Sequence, residues 1–274
     1  MIKILDMDKI FDKYISDYVY SNIGKINPDE IENQIPLLYN EFGDKPLAEL
    51  DGKTPNEYYK GFSGEELLDC LKQHLANGVS VSDFLCEALQ SDIKHEPILV
   101  KELSNDNDEE YTLYLMNILS VIGSTQAKTR YLQFITWDYS EPIKELATEI
   151  LCEMSDQIKD EILAIYQDSS KEVKAYLTQI LSYCKQDDRV FEILINEFLN
   201  NLTDIPIYCN YLARYGDDKA LPFLLTAIEN EKINYQEFQE LRYAIEALGG
   251  EYTKTRDFSA DKIYKKIKSL KEGK

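Results

Sequence analysis

Asp217 and Asp218 stand side by side in RYGDDKALPFLLTAI, between a glycine and an apolar run. Two adjacent carboxylates can divide acid–base work between them, provided one is buried or otherwise shifted in pKa. The pair recurs as Asp187 and Asp188, and in part as Asp156. An aspartate ahead of a helix accepts hydrogen bonds from the unpaired N–H groups of the first turn and complements the helix dipole. A turn-and-cap role therefore accounts for the recurrence without a ligand. SNDNDEEY, residues 104–111, alternates oxygen-bearing side chains as calcium loops do. Such a loop needs glycine at its sixth place and glutamate at its twelfth; counted from Asp106, these are Tyr111 and Asn117. Neither G-x-S-x-G nor a glycine-rich phosphate loop occurs, so nucleophilic and nucleotide chemistry lack their usual scaffolds.

The elements that must position any site are helical. The 274 residues are 44% hydrophobic and 29% charged with only 11 glycines and 8 prolines, the profile of a helix-rich globular chain. The N-terminus MIKILDMDKIFDKYISDYVY is amphipathic and studded with acids, unlike a signal peptide, and no apolar run approaches membrane-spanning length. Five widely spaced cysteines without a C-x-x-C pair argue against a disulfide framework or zinc site and suit a reducing cytoplasm. A net charge of −20 repels phosphate backbones and anionic lipid, so nucleic acid and membrane are not the expected partners. The tail KIYKKIKSLKEGK, residues 262–274, is the basic exception; its lysines favour a helix C-terminus, and a solvated helix end is expected.

Six short words recur: EALQ (87–90), NILS (117–120), EILC (149–152), QILS (179–182), NYLA (210–213) and EALG (246–249). Their leucines, Leu89, Leu119, Leu151, Leu181, Leu212 and Leu248, are spaced by the length of a helical hairpin. Pro97, Pro142 and Pro222 fall where a helix would begin, and proline suits a first turn because its missing N–H would have no intrahelical partner. Leu221, Leu224, Leu225 and Ile228 share one face at helical spacing. Thr54 with Glu57, after an Asp51-Gly52 turn, and Ser63 with Glu66 have the pattern of capping boxes. Residues 1–80 are expected as an irregular cap of four helices continuous with the array, 81–255 as the repeats, and 256–274 as a closing helix and basic tail. The lone Trp137, in TWDYSEP between two helices of a hairpin, is expected as a partly buried lid, with an exposed partner anchor as the alternative.

YGDDKALPFLLTAI followed by AIEALGG resembles the HEAT-like repeat, over about residues 85–255 and best around 212–250. The second helix of that repeat often carries an early arginine; here Leu241 occupies the place. LDGKTPNEYY is also similar to a stretch of bacterial helical-repeat proteins. The resemblance implies an all-α fold, an α-α superhelix of stacked hairpins. Some HEAT-like arrays are iron hydroxylases built on repeated His-Glu dipeptides, but His95-Glu96 stands alone and His74 is not followed by an acid. Others are DNA glycosylases, which need a basic groove, or chromophore lyases, which need an apolar pocket with a reactive acid.

In each second helix, the residues two before and two after the anchor leucine lie about 160° to 200° around from it, opposite the core. They form a column: Glu87, Asn117, Glu149, Gln179, Asn210 and Glu246, with Glu153, Tyr183 and Arg214 beside it. If the second helices line an inner curve, as the resemblance implies, this column is a polar, acid-leaning concave surface; otherwise it is an ordinary solvated face. The leading expectation is a non-enzymatic scaffold, without cofactor, binding a basic segment of a protein partner there. A HEAT-like enzyme or nucleic-acid binder, and a self-associating structural module, are the alternatives.

Overall fold

The computed structural model describes residues 2–22, 28–105 and 107–272. Asp106, where the calcium-loop count begins, and the last two residues of the basic tail lie outside them. Among the described residues every regular element is helical. The chain divides into two compact units, residues 1–130 and 131–274.

The first unit contains α1 (Met7–Ser21), α2 (Pro28–Gly43), α3 (Pro55–Tyr58), α4 (Gly64–Ala76), α5 (Asp83–Gln90), α6 (Glu96–Leu103) and α7 (Glu109–Ile122). Among the described residues upstream of 80, α1 to α4 are accompanied by a 3-10 turn at Ala48–Leu50. α1 packs on α2 through an aromatic cluster in which Phe11 meets Tyr39 edge-on, with centroids 5.0 Å apart, and Phe42 at 5.2 Å. Ser63 caps α4 in a complete capping box, its Oγ accepting from the Glu66 N–H at 3.3 Å while Glu66 accepts from the Ser63 N–H at 2.9 Å. Thr54 departs from expectation. It precedes a helix of four residues and makes no side-chain cap bond; only its carbonyl is used, accepting from the Glu57 and Tyr58 N–H groups. One turn leaves little to cap, and the preceding Asp51-Gly52 turn, with both residues at positive φ, already sets the chain direction.

The second unit holds most of α8 (Lys128–Thr136), then α9 (Glu141–Glu153), α10 (Ser155–Tyr166), α11 (Lys171–Leu181), α12 (Asp188–Asn200), α13 (Ile205–Tyr215), α14 (Leu221–Ile228), α15 (Tyr235–Ala247) and α16 (Lys262–Glu272). Helices α10 and α11, α12 and α13, and α14 and α15 pack as sequence-adjacent hairpins, while α9 packs on α11 and α13 on α15. Pro97, Pro142 and Pro222 each occupy the first turn of a helix. All six anchor leucines are buried, and full burial of a leucine contributes about 1.5 to 3 kcal/mol. On α14, Leu224 and Ile228 enter the core, whereas Leu221 is half-buried and Leu225 exposed, so the apolar face is narrower than the spacing suggested. Gly250 closes the last hairpin where a Cβ would stand 2.6 Å from Leu221 Cδ2 and 2.9 Å from Ile245 Cγ2; glycine is needed there for close approach. Asp261 opens α16, accepting from the Ile263 and Tyr264 N–H groups and, one helix away, from the Tyr235 N–H.

Within this unit, polar ties join each hairpin to the next. Lys144 reaches Glu172, Arg189 reaches Asp160 and Lys219 reaches Asp188 at 2.8, 3.0 and 2.7 Å, with sequence separations of 28, 29 and 31.

Candidate interaction face

Asp217, Asp187, Asp188 and Asp156 have internal partners. Asp217 is buried and accepts from the Lys219 N–H at 3.0 Å, opening a single 3-10 turn at Asp218–Ala220. Asp156 accepts from the Lys185 N–H at 2.9 Å. Asp187 caps α12 through the Arg189 N–H and also receives the Arg189 guanidinium and, at 3.2 Å, the Lys159 ammonium. The Arg189 hydrogen bond, with Lys159 behind it, holds this carboxyl well below the usual carboxylate range. Tyr215 completes the joint: its hydroxyl accepts from the Asp187 N–H at 2.6 Å and donates to the Asp187 carbonyl at 2.9 Å. Asp217 and Asp187 therefore act as caps, and Asp187 links α10, α12 and α13.

Each histidine sets Nδ1 against a backbone carbonyl. His74 is fully buried, Nδ1 lying 2.8 Å from the Ser80 carbonyl. His95 has Nδ1 3.1 Å from the Leu89 carbonyl and packs its ring on Gly64, at the start of α6. Cys70 lies one turn from His74 on α4, but burial pushes its thiol up to about 11, whereas a nucleophilic cysteine needs its pKa lowered. All five cysteines are unpaired. Among the described residues, no group of three or more His, Cys, Asp or Glu side chains could hold a metal ion, and no helix is long and apolar enough to cross a membrane.

The column positions face solvent. Glu87, Asn117, Glu149, Asn210 and Glu246 are exposed and Gln179 is half-buried; Glu153, Tyr183 and Arg214 are exposed. In the first unit, Glu87 on α5 lines a cleft of about 430 Å3 with Asp44, Asn56, Glu57, Lys60 and Ser91, and Asn117 stands on α7.

The second unit gathers the rest. α9 carries Glu145, Glu149 and Glu153 one turn apart on its exposed side. Beyond the end of α11, Tyr183 lies under the guanidinium of Arg214 from α13, whose Cζ is 4.2 Å from the ring centroid and 5.8 Å from that of Tyr211. Arg214 Nη1 donates to Ser182 Oγ at 3.1 Å and Nη2 to Asn210 Oδ1 at 3.3 Å. Ser182 is fully buried, its own hydroxyl donating to the Gln179 carbonyl at 2.6 Å. Cys152 on α9 is buried, and that burial pushes its thiol up to about 12. α9 packs on α11, and Arg214 of α13 reaches Ser182 and Tyr183 at the end of α11, so Glu149, Glu153 and Arg214 stand on elements joined in succession. Glu246 is held by Arg242 on its own helix at 3.0 Å.

Sequence reasoning did not select Glu145, Tyr176, Ser182, Tyr211 or the 72%-exposed Tyr243. Glu145, Tyr176, Tyr211 and Tyr243 lie one helical turn from column members, so extending the column by i±3 and i±4 would have found them. Ser182, adjacent to Tyr183, carried no such signal. Trp137 differs from expectation. It is 55% exposed in the turn between α8 and α9, and it is Tyr139 that packs edge-on against Phe134, centroids 4.8 Å apart.

Compared with protein-family profiles, curated proteins and solved structures, the chain matches none.

Proposed function

We propose that the unit of residues 131–274 is a non-catalytic protein-interaction scaffold of HEAT-like type, and that its exposed α9–α11–α13 face binds a basic segment of a partner protein. The observation that carries this is the glutamate row Glu145, Glu149 and Glu153. Like charges at i,i+4 spacing disfavour a helix by roughly 0.2 to 0.5 kcal/mol per pair, and none of the three has a cationic partner among the described residues. Other acids of this unit are paired, among them Glu172, Asp160, Asp187, Asp188 and Glu246. A lysine- or arginine-bearing ligand would relieve the row, and the neighbouring Tyr183, Tyr211 and Arg214 are of the types that dominate interface energetics.

The test is an affinity capture from the native cell, with elution by increasing salt. Screening weakens contacts between exposed charges, so the partner should elute as salt rises, and Glu149→Lys with Glu153→Lys should abolish its capture while leaving helical content unchanged. Capture indifferent to both salt and charge reversal would refute the proposal. Recovery of this chain alone would favour self-association.

A further inference from the structure

Arg214 is the anomaly on this face. In a chain with 50 acidic against 30 basic residues, its guanidinium has no carboxylate partner among the described residues. It is instead braced by neutral groups: the Tyr183 ring on one face, the buried Ser182 hydroxyl at one nitrogen and the Asn210 amide oxygen at another. A guanidinium has five N–H donors in a planar fork; these two bonds engage two of them, and the residue is exposed. Holding a long side chain in one orientation normally costs rotamer entropy on binding; here the stack and two hydrogen bonds have already fixed it. A preset planar fork matches a carboxylate by paired N–H···O bonds.

We infer that Arg214 is a specificity-determining anchor for a carboxylate within the bound segment, so that the segment is amphoteric: basic side chains against Glu149 and Glu153, and one acidic group or free C-terminal carboxylate against Arg214. The inference rests on the proposed partner-binding role of this face and names what the face selects. Glu149 and Glu153 repel a purely acidic ligand, while an unmatched Arg214 repels a purely basic one. Only a segment carrying both signs satisfies the three charges together.

Selection from a display library of random dodecapeptides with free C-termini separates the two levels. The wild-type unit within the full chain should enrich peptides with lysine or arginine and one carboxylate at a constant distance from them. Selection on Arg214→Gln should retain the basic residues and lose the carboxylate position. For the best wild-type peptide, replacing the acid by its amide should weaken binding about tenfold, the scale of one charge-assisted contact at a solvent-accessible site. The same replacement should leave affinity for Arg214→Gln unchanged, and Arg214→Lys should fall between, because an ammonium lacks the planar fork. Basic enrichment without a carboxylate position, or a carboxylate preference that survives Arg214→Gln, overturns the inference and leaves the basic-partner proposal standing. Enrichment of no charged pattern overturns both. Arg214 also braces the buried Ser182 hydroxyl, so peptide affinities are compared at a temperature below the melts of both variants, where a carboxylate preference lost in Arg214→Gln reports recognition and not unfolding.

Discussion

Replacing Asp187 separates the cap from the ion pairs that converge on one carboxylate. Asp187→Asn retains an oxygen able to cap α12 but loses the charge facing Arg189 at 2.7 Å and Lys159 at 3.2 Å. Asp187→Ala loses both. An N-cap contributes about 1 kcal/mol. Each partly exposed ion pair contributes roughly 0.2 to 1 kcal/mol; Asp187 and Lys159 side chains are 16% and 19% exposed but Arg189 is 60% exposed, which puts the ionic share near 1 kcal/mol in total. At about pH 7, urea unfolding should therefore rank wild type above Asp187→Asn by about 1 kcal/mol and above Asp187→Ala by about 2 kcal/mol. The Tyr215 bonds go to Asp187 main-chain atoms and persist in both variants. The pH dependence has a definite sign. The folded-state pKa is depressed below the unfolded value of about 3.9, so the ionic stabilisation is fully present above that value and is lost as pH falls through the folded-state pKa. The gap between wild type and Asp187→Asn should narrow as the pH drops below about 4, other carboxylates cancelling in the comparison. A gap absent at neutral pH, or one that persists undiminished into strong acid, would refute the assignment of Asp187 as a charged joint.

The two threonine and serine cap patterns should part company: Ser63→Ala should lower stability by about 1 kcal/mol, whereas Thr54→Ala should be close to neutral in the same urea titration, because only Ser63 makes a side-chain cap bond. The thiols should be silent in the folded protein. Burial pushes Cys70, Cys86 and Cys184 up to about 11 and Cys152 and Cys209 up to about 12, so a thiol-specific chromogenic reagent at mildly alkaline pH should react slowly until denaturant is added and then titrate all five.

The repeat was legible because burial recurs with the chain's own period. A leucine in each of six words marks a position that becomes buried, and proline marks first turns for reasons local to the helix. What sequence could not supply was length and partnership. Thr54 has the right residue three places before Glu57, yet the helix it begins ends after one turn. Trp137 and Tyr139 stand two residues apart in one turn, and spacing alone does not say which turns inward. The column emerged from leucine register, and its exposure follows from being opposite the core. The bracing of Arg214 did not emerge, because Ser182 and Tyr183 reach it from a sequence distance of about one repeat, beyond any i,i+4 rule.

The ties that join each hairpin of residues 131–274 to the next, Lys144 to Glu172, Arg189 to Asp160 and Lys219 to Asp188, all span about one repeat and none spans two. Cooperativity in such a chain is a nearest-neighbour property. Opening should travel between neighbouring hairpins as a moving boundary, so that amide hydrogen exchange is graded along the sequence instead of uniform. A ligand seated across α9, α11 and α13 would bridge elements that no single internal tie spans, and would act as a clasp, slowing exchange well beyond the residues it touches.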